Sequence, residues 1–223
     1  MVTAFFVSLT LARLKARESN INPDVISNLS FLVFISGIIG ARIFYVAENL
    51  GYYLRQPLQI IMLQHGGLSW YGGLIAGVVL AIVYIKNKAL SVYRIFDLIS
   101  PFVALGQAIG RIGCLLNGCC YGKVSSYGIY FNVYRSVLIP TQIYSSLMLL
   151  IIFLILRFMQ EKSHTQGVIF YTYILTYSFK RFLIEFWRAE HMALIWGLNL
   201  FQIISLFMFV LGVLGLLFVK NKA

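Results

Sequence analysis

Long apolar runs separated by short, basic segments dominate the chain. Six of these runs have about the 20 residues that an α-helix needs to cross the roughly 30 Å hydrocarbon core of a bilayer. They cover residues 25–45, 67–85, 95–118, 137–156, 167–187 and 196–219. A seventh run, 1–12, is apolar but too short to span alone, and we interpret it as a truncated first span, with a short interfacial helix as the alternative. The pattern predicts an all-α, polytopic integral membrane protein with about seven transmembrane helices.

The composition supports a membrane protein and excludes a soluble one. Hydrophobic residues make up 60% of the 223 residues and charged residues only 11%, whereas a soluble domain typically has about 25% charged residues. The length allows one domain, so we expect residues 1–223 to form a single transmembrane helical domain.

The net charge of +11 follows the topology of the chain. A nucleic-acid partner would need a basic face on a folded surface, and none is predicted. Alternate connections and the C-terminus hold ten basic residues: Arg13, Lys15, Arg17, Lys86, Lys88, Arg94, Arg157, Lys162, Lys220 and Lys222. The opposite connections hold four: Arg55, Lys123, Arg135 and Arg188. The positive-inside rule therefore predicts the N-terminus outside and the C-terminus in the cytoplasm.

Three arginines lie within the apolar runs, namely Arg42, Arg111 and Arg181. A cation there costs at least about 2.5–3.5 kcal/mol, so it is expected to have a function or a partner. Glu185 follows Arg181 by four residues, which is a spacing at which two helical side chains can pair. One such pair could simply neutralise itself. With three arginines and one nearby acid, positive charge remains unpaired, and this surplus favours an anion site.

Two glycine-rich stretches accompany these charges. Arg111 lies between two glycines, and Gly118 and Gly122 follow. Glycine allows close approach, and a guanidinium group fits phosphate, although glycines also serve helix packing. The second stretch, residues 66–73, contains Gly66, Gly67, Gly72 and Gly73 with Tyr71. Its titratable members are Tyr71 and the adjacent His65, and the alternative for this stretch is a tight re-entrant turn with packing.

The cysteines are Cys114, Cys119 and Cys120. Their spacing is not a zinc pattern, and adjacent cysteines bridge each other only with strain. Small apolar packing is one interpretation, and a reactive thiol or an outward-facing disulfide is the other. No metal and no cofactor is predicted. Asp97 begins a span and is expected near the N-cap of its own helix, while His164 and His191 are expected in solvated connections.

Five blocks, in this order, resemble the bacterial prolipoprotein diacylglyceryl transferases. They are GARIFY at residues 40–45, GGLSWYGGLI at 66–75, GRIGxxxNGxxxG at 110–122, PTQIY at 140–144 and RFLIEFWR at 181–188. The likeness runs from about residue 25 to the C-terminus.

The resemblance implies a seven-helix enzyme of the bacterial cytoplasmic membrane with its active site near the outer leaflet. Its substrates would be phosphatidylglycerol, drawn from the membrane lipids, and the lipobox peptide of a prolipoprotein. Diacylglyceryl would pass to the lipobox cysteine thiol, and glycerol phosphate would leave. The implied catalytic residues are Arg111, Arg181, Tyr71 and Glu185. The implied substrate-binding residues are Arg42, Gly66, Gly67, Gly72, Gly73, Asn117, Gly122, Gln142 and Tyr144.

The chain departs from the family pattern at several site positions. The family has histidine at Tyr71, asparagine at Cys114, an acid at Cys119 and an acid at Ser145. A phenol stays protonated at neutral pH, so Tyr71 could act as a base only with strong help from the arginines. Two alternatives follow. One keeps the lipid-phosphate site but uses another acceptor, with a covalent or redox role for Cys119 or Cys120. The other is a non-enzymatic lipid-binding or transport protein on a decayed transferase scaffold.

Overall fold

The computed structural model describes residues 2–62, 66–189 and 197–221. The described part is mainly helical, with one small antiparallel hairpin. In chain order, the elements are α1 Val2–Glu18, α2 Pro23–Glu48, α3 Leu50–Arg55, a 3-10 turn Pro57–Ile60, α4 Trp70–Asn87, α5 Val92–Leu116, β1 Val124–Phe131, β2 Ser136–Leu138, α6 Thr141–Gln160, α7 Val168–Glu185 and α8 Leu200–Lys220. His65 and His191 lie outside the described residues.

Five helices are long and apolar enough to cross a bilayer: α2, α4, α5, α6 and α8. Only 22–39% of the most apolar stretch of each is buried inside the protein. The apolar remainder faces outward, which suits lipid rather than water. The prediction of a helical, multi-pass membrane protein is confirmed at this level. The first helix extends beyond the first apolar run, because α1 continues through the basic cluster to Glu18 and has 17 residues.

The predicted span at 137–156 is wrong at its start. Val137 and Leu138 belong to β2, and the helix begins at Thr141, directly after Pro140. Residues 124–138 are rich in tyrosine and valine, which favour strands. The sequence analysis did not identify the hairpin, because apolarity alone does not distinguish a short strand from the start of a helix.

The chain forms two compact units. The first consists of Met1–Ala12 and Tyr93–Ala223, and the second is Arg13–Val92. Within the second unit, α2 and α4 pack closely through glycines. A Cβ atom on Gly40 would lie 2.6 Å from the carbonyl oxygen of Gly72, and one on Gly73 would lie 3.0 Å from that of Gly37. Small residues let helix backbones approach in a membrane, so Gly72 and Gly73 have the packing role that the sequence left open.

Asp97 fixes α7 within the first unit. Its Oδ2 atom accepts a hydrogen bond from the Gly167 amide, and its Oδ1 atom accepts one from the Phe170 amide at 2.8 Å. The prediction that Asp97 caps its own helix is wrong, because it lies a full turn inside α5 and binds the start of α7 instead. A buried carboxylate at a helix N-terminus satisfies free amides and the helix dipole. This contact sets the position of α7 along α5.

We expect Gly40→Ala to destabilise the second unit by about 1–3 kcal/mol, because the added methyl group would overlap the backbone of α4. The overlap should outweigh the gain of about 1 kcal/mol in helix propensity. Thermal unfolding in detergent measures the effect. Gly51→Ala is the matched control, since a Cβ atom there meets nothing within 4 Å. Equal unfolding temperatures for the two variants would contradict the packing interpretation.

Candidate functional site

Helices α5 and α7 bring cationic side chains together in the first unit. Lys180 interacts electrostatically with Arg111, Arg181 and Arg188. The predicted pair is present on α7, where the Arg181 Nη2 atom lies 3.2 Å from the Glu185 Oε2 atom. The other described acids of this unit, at positions 97 and 161, lie near the start of α5 and just after the end of α6, whereas Arg111 lies near the end of α5. The described part of the cluster therefore carries surplus positive charge, as an anion site requires.

Lys180 is the member of the cluster to which the sequence analysis gave no role. Its side chain is 2% exposed. The Nζ atom donates a hydrogen bond to the Ser145 Oγ atom at 3.2 Å and lies 4.5 Å from the centre of the Tyr177 ring. A buried lysine is rare without a paired acid. Its place beside Arg181 in an apolar run was the signal that could have identified it.

The start of α8 holds the Arg181–Glu185 pair in place. Asn199 caps α8, reciprocally with Gln202, and its Nδ2 atom also donates to the Glu185 Oε1 atom at 3.3 Å. The guanidinium carbon of Arg181 lies 5.0 Å from the centre of the Phe201 ring. Glu185 is fully buried. This carboxylate thus fixes the direction of the Arg181 guanidinium group, which is a positioning role.

The segment after α5 is attached to the ends of α6 and α7. The Gln142 Nε2 atom donates to the Cys119 carbonyl at 2.8 Å, and the Thr141 Oγ1 atom donates to the Cys120 carbonyl at 2.7 Å. A Cβ atom on Gly122 would lie 2.6 Å from the Trp187 carbonyl oxygen, so only glycine fits there. Gly122 and Gln142 therefore shape the loop. Asn117 and Tyr144, two further predicted binding residues of this region, are exposed.

A helix cap brings the cysteines together. Gly118 has a positive φ of 67°, the Cys119 amide donates to the Cys114 carbonyl, and the Gly118 amide donates to the Leu115 carbonyl. These bonds form a Schellman cap, which folds the residue after the glycine back over the last helical turn. Cys120 also has a positive φ, of 63°. The three Sγ atoms lie within 4.8 Å of one another, and all three cysteines are unbridged.

Arg42 binds backbone carbonyls in the second unit. It is 7% exposed, and its three nitrogens donate to five carbonyl oxygens, those of Gln59, Ile60, Met62, Gly66 and Gly67. A guanidinium group has five N–H donors, so all of them are used. Gly66 and Gly67 have φ values of 76° and 81°, which favour glycine. This geometry gives the three residues a role in organising a loop.

Tyr71 also belongs to the second unit, in the first turn of α4. Its ring packs edge-on against Trp70, with 5.5 Å between the ring centres. The hydroxyl oxygen is buried and has no hydrogen-bond partner among the residues that the structure describes. A buried hydroxyl without a partner costs free energy, and such groups are often found where a ligand binds.

Comparison with known proteins identifies the class. A family model described as prolipoprotein diacylglyceryl transferase matches residues 1–218. The protein therefore belongs to the prolipoprotein diacylglyceryl transferase family of membrane enzymes.

Curated relatives over most of the chain have the same name, phosphatidylglycerol–prolipoprotein diacylglyceryl transferase. A relative from Clostridium tetani is 32% identical, with 89% of this chain and 82% of the relative aligned. One from Trichormus variabilis is 31% identical, with 100% and 85% aligned. A second such enzyme from Clostridium perfringens is 34% identical, with 96% and 87% aligned.

Replacing Arg42 by lysine should destabilise the second unit by about 2 kcal/mol or more. Lysine has three donors on one atom and cannot reach five carbonyls, so part-buried acceptors lose their partners. Hydrogen exchange at the amides of residues 59–62, 66 and 67 and thermal unfolding would report the loss. The control is Arg55→Lys, an exposed position on α3. Unchanged protection of the loop would show that these carbonyl contacts are dispensable.

We expect Lys180→Met to stabilise the lipid-free protein in detergent by about 1 kcal/mol or more, because it removes a buried positive charge from beside three arginines. The same variant should gain less stability from added phosphatidylglycerol. Thermal unfolding with and without the lipid measures both effects. Lys162→Met, at an exposed position, is the control. A destabilised variant with an unchanged lipid effect would assign Lys180 to packing alone.

Proposed function

We propose that the protein transfers diacylglyceryl from phosphatidylglycerol to the lipobox cysteine of prolipoproteins, in the bacterial cytoplasmic membrane. In this proposal, α1 and α7 complete seven spans of a single domain, 1–223, with the N-terminus outside and the C-terminus in the cytoplasm. The distribution of basic residues between the connections supports this orientation. The cysteine loop and the cationic cluster then lie toward the outer leaflet, where the acceptor peptide emerges.

The single observation that carries the proposal is the cationic cluster around Arg111 and Arg181. In the reaction, a thiolate sulfur attacks the glyceryl carbon next to the phosphate. A carbon–sulfur bond forms, the carbon–oxygen bond breaks, and glycerol phosphate leaves. The phosphate changes from a single negative charge to two, so fixed positive charge stabilises the transition state more than the bound lipid.

Each cluster member has a distinct part in this proposal. Arg111 and Arg181 contact the phosphate, because guanidinium groups bind its oxygens in a bidentate manner. Glu185 holds Arg181 in place. Lys180 has its ammonium group buried, so it adds positive potential to the site without reaching the lipid. Asn117 and Tyr144, which are exposed, contact the substrates, while Gly122 and Gln142 keep the loop in shape.

The second unit supplies supporting parts. Arg42 with Gly66 and Gly67 forms a fixed loop, and Gly72 and Gly73 pack α4 on α2. The buried hydroxyl of Tyr71 is this unit's candidate for a contact with a substrate. We propose that contact as a hydrogen bond, because a neutral phenol both donates and accepts.

Arg111→Ala should lower transfer by about 100-fold or more, because removing one donor to a developing anion typically costs that much. The assay uses purified protein in liposomes with phosphatidylglycerol and a lipobox peptide. Mass spectrometry follows the peptide, and a glycerol-phosphate assay follows the lipid. Lys123→Gln removes an exposed charge of the same sign and is the control.

Three other results of this assay have defined meanings. Full transfer by a correctly inserted Arg111→Ala variant would refute the assigned site. Release of glycerol phosphate without peptide modification would indicate another acceptor. Phosphatidylglycerol binding without either product would favour the non-enzymatic alternative.

A further inference from the structure

We infer that Cys114, Cys119 and Cys120 form a zinc site with an open fourth position, which binds the acceptor cysteine as its thiolate. This inference rests on the proposed transfer. The inference adds to the proposed transfer a metal ion, which activates the acceptor thiol.

The sulfur positions fit one small ion. The three Sγ atoms lie within 4.8 Å of one another. A tetrahedral zinc ion with bonds of about 2.3 Å holds its thiolate ligands about 3.8 Å apart. Movements of less than about 1 Å per side chain close the difference, which is within reach of a cysteine rotamer adjustment. The spacing along the chain did not indicate this, because the glycine cap, and not a zinc-finger turn, brings the sulfurs together.

The loop is built to hold the thiols in this arrangement. The Schellman cap places Cys119 over Cys114, and two buried side chains of α6 bind the carbonyls of Cys119 and Cys120. Cys120 is held at a φ of 63°, a conformation that costs a non-glycine residue about 1 kcal/mol or more. Backbone strain of this size clusters at functional sites, and it accompanies the sulfur geometry here.

The net charge of a zinc–thiolate complex also fits its surroundings. A zinc ion with three thiolates carries a net charge of −1. Arg111 lies close enough to Cys114 to interact with it electrostatically, so the complex has a cationic neighbour. All three cysteines are half-buried rather than sealed in the core. In this inference the fourth position stays open to a ligand, which is the arrangement that distinguishes catalytic from structural zinc sites.

The chemistry of the transfer needs what such a site supplies. A free thiol is mostly protonated at neutral pH, and the thiolate is the nucleophile. Among the described residues of the first unit, the histidine at position 164 lies at the far end of α5, beside Asp97, and Glu185 is engaged with Arg181. A thiol that binds zinc loses its proton outright. The site would thus supply the acceptor cysteine as its thiolate.

The step balances without a redox partner. The lipobox thiol binds zinc as a thiolate and releases its proton to water. Its sulfur then attacks the glyceryl carbon, the carbon–oxygen bond breaks, and glycerol phosphate leaves with the electron pair. The product thioether is a weak ligand, so water replaces it on the metal. Zinc is suited to this role because it has no redox chemistry and accepts four ligands.

Cobalt substitution tests the site without relying on activity. Protein purified under reducing conditions should contain about one zinc ion per chain, measured by elemental mass spectrometry. Co²⁺ in its place should show sulfur-to-cobalt charge-transfer absorption and the visible bands of tetrahedral coordination. Adding a lipobox peptide should shift the visible bands, because a fourth sulfur enters. The same peptide with serine in place of cysteine should leave them unchanged.

Variants connect the metal to the reaction. Cys119→Ser combined with Cys120→Ser should abolish zinc binding and lower transfer by roughly 10- to 100-fold, the scale of losing thiolate formation on the metal. Ser136→Ala, in the adjacent hairpin, should keep both the metal and the activity. Chelation of the wild-type protein, followed by zinc return, repeats the comparison without any mutation. This arm remains informative if the double variant fails to fold.

The two proposals can fail separately. Full transfer by the metal-free wild type would overturn the zinc inference and leave the transferase function intact. So would a disulfide among the cysteines in active protein, or cobalt bands that do not respond to the cysteine peptide. Conversely, bands that shift with the cysteine peptide while no diacylglyceryl is transferred would establish the metal site and refute the proposed function.

Discussion

Positive charge within the hydrocarbon region of the membrane is the constraint on which the rest of this structure depends. A cation in the hydrocarbon region costs several kcal/mol unless the protein or a ligand compensates it. The protein uses two solutions. Arg42 donates all its N–H groups to backbone carbonyls and thereby stabilises the fold. Arg111, Lys180 and Arg181 interact with one another, and Arg181 pairs with the buried carboxylate of Glu185. The first solution stabilises a loop, and the second leaves surplus positive charge among the described residues, on which the proposed lipid site rests.

The scaffold serves to place this charge. Asp97 fixes the start of α7, and the caps at the start of α8 and the end of α5 fix the far end of the same unit. Each contact satisfies helix-end groups that lipid cannot satisfy. The same residues thereby set the direction of the Arg181 guanidinium group and the path of the cysteine loop. Stability and site geometry thus depend on the same hydrogen bonds.

Local patterns predicted the features that depend on neighbours along the chain. The apolar runs located the long helices, and the i,i+4 spacing found the pair of Arg181 and Glu185. They failed where two conformations share one composition. The residues of β2 were assigned to the following helix because short apolar strands and helix starts look alike. Asp97 was assigned to its own helix, although its partners are 70 or more residues away.

The sequence by itself determined a multi-pass helical membrane protein and its family, because hydropathy and motif order are local properties of the chain. Only the tertiary structure decided what the individual residues do. In the folded protein, Arg42 binds backbone carbonyls, Lys180 lies beside the arginines, and three cysteine sulfurs come together. These outcomes depend on helix caps and contacts between distant segments, which spacing along the chain does not encode.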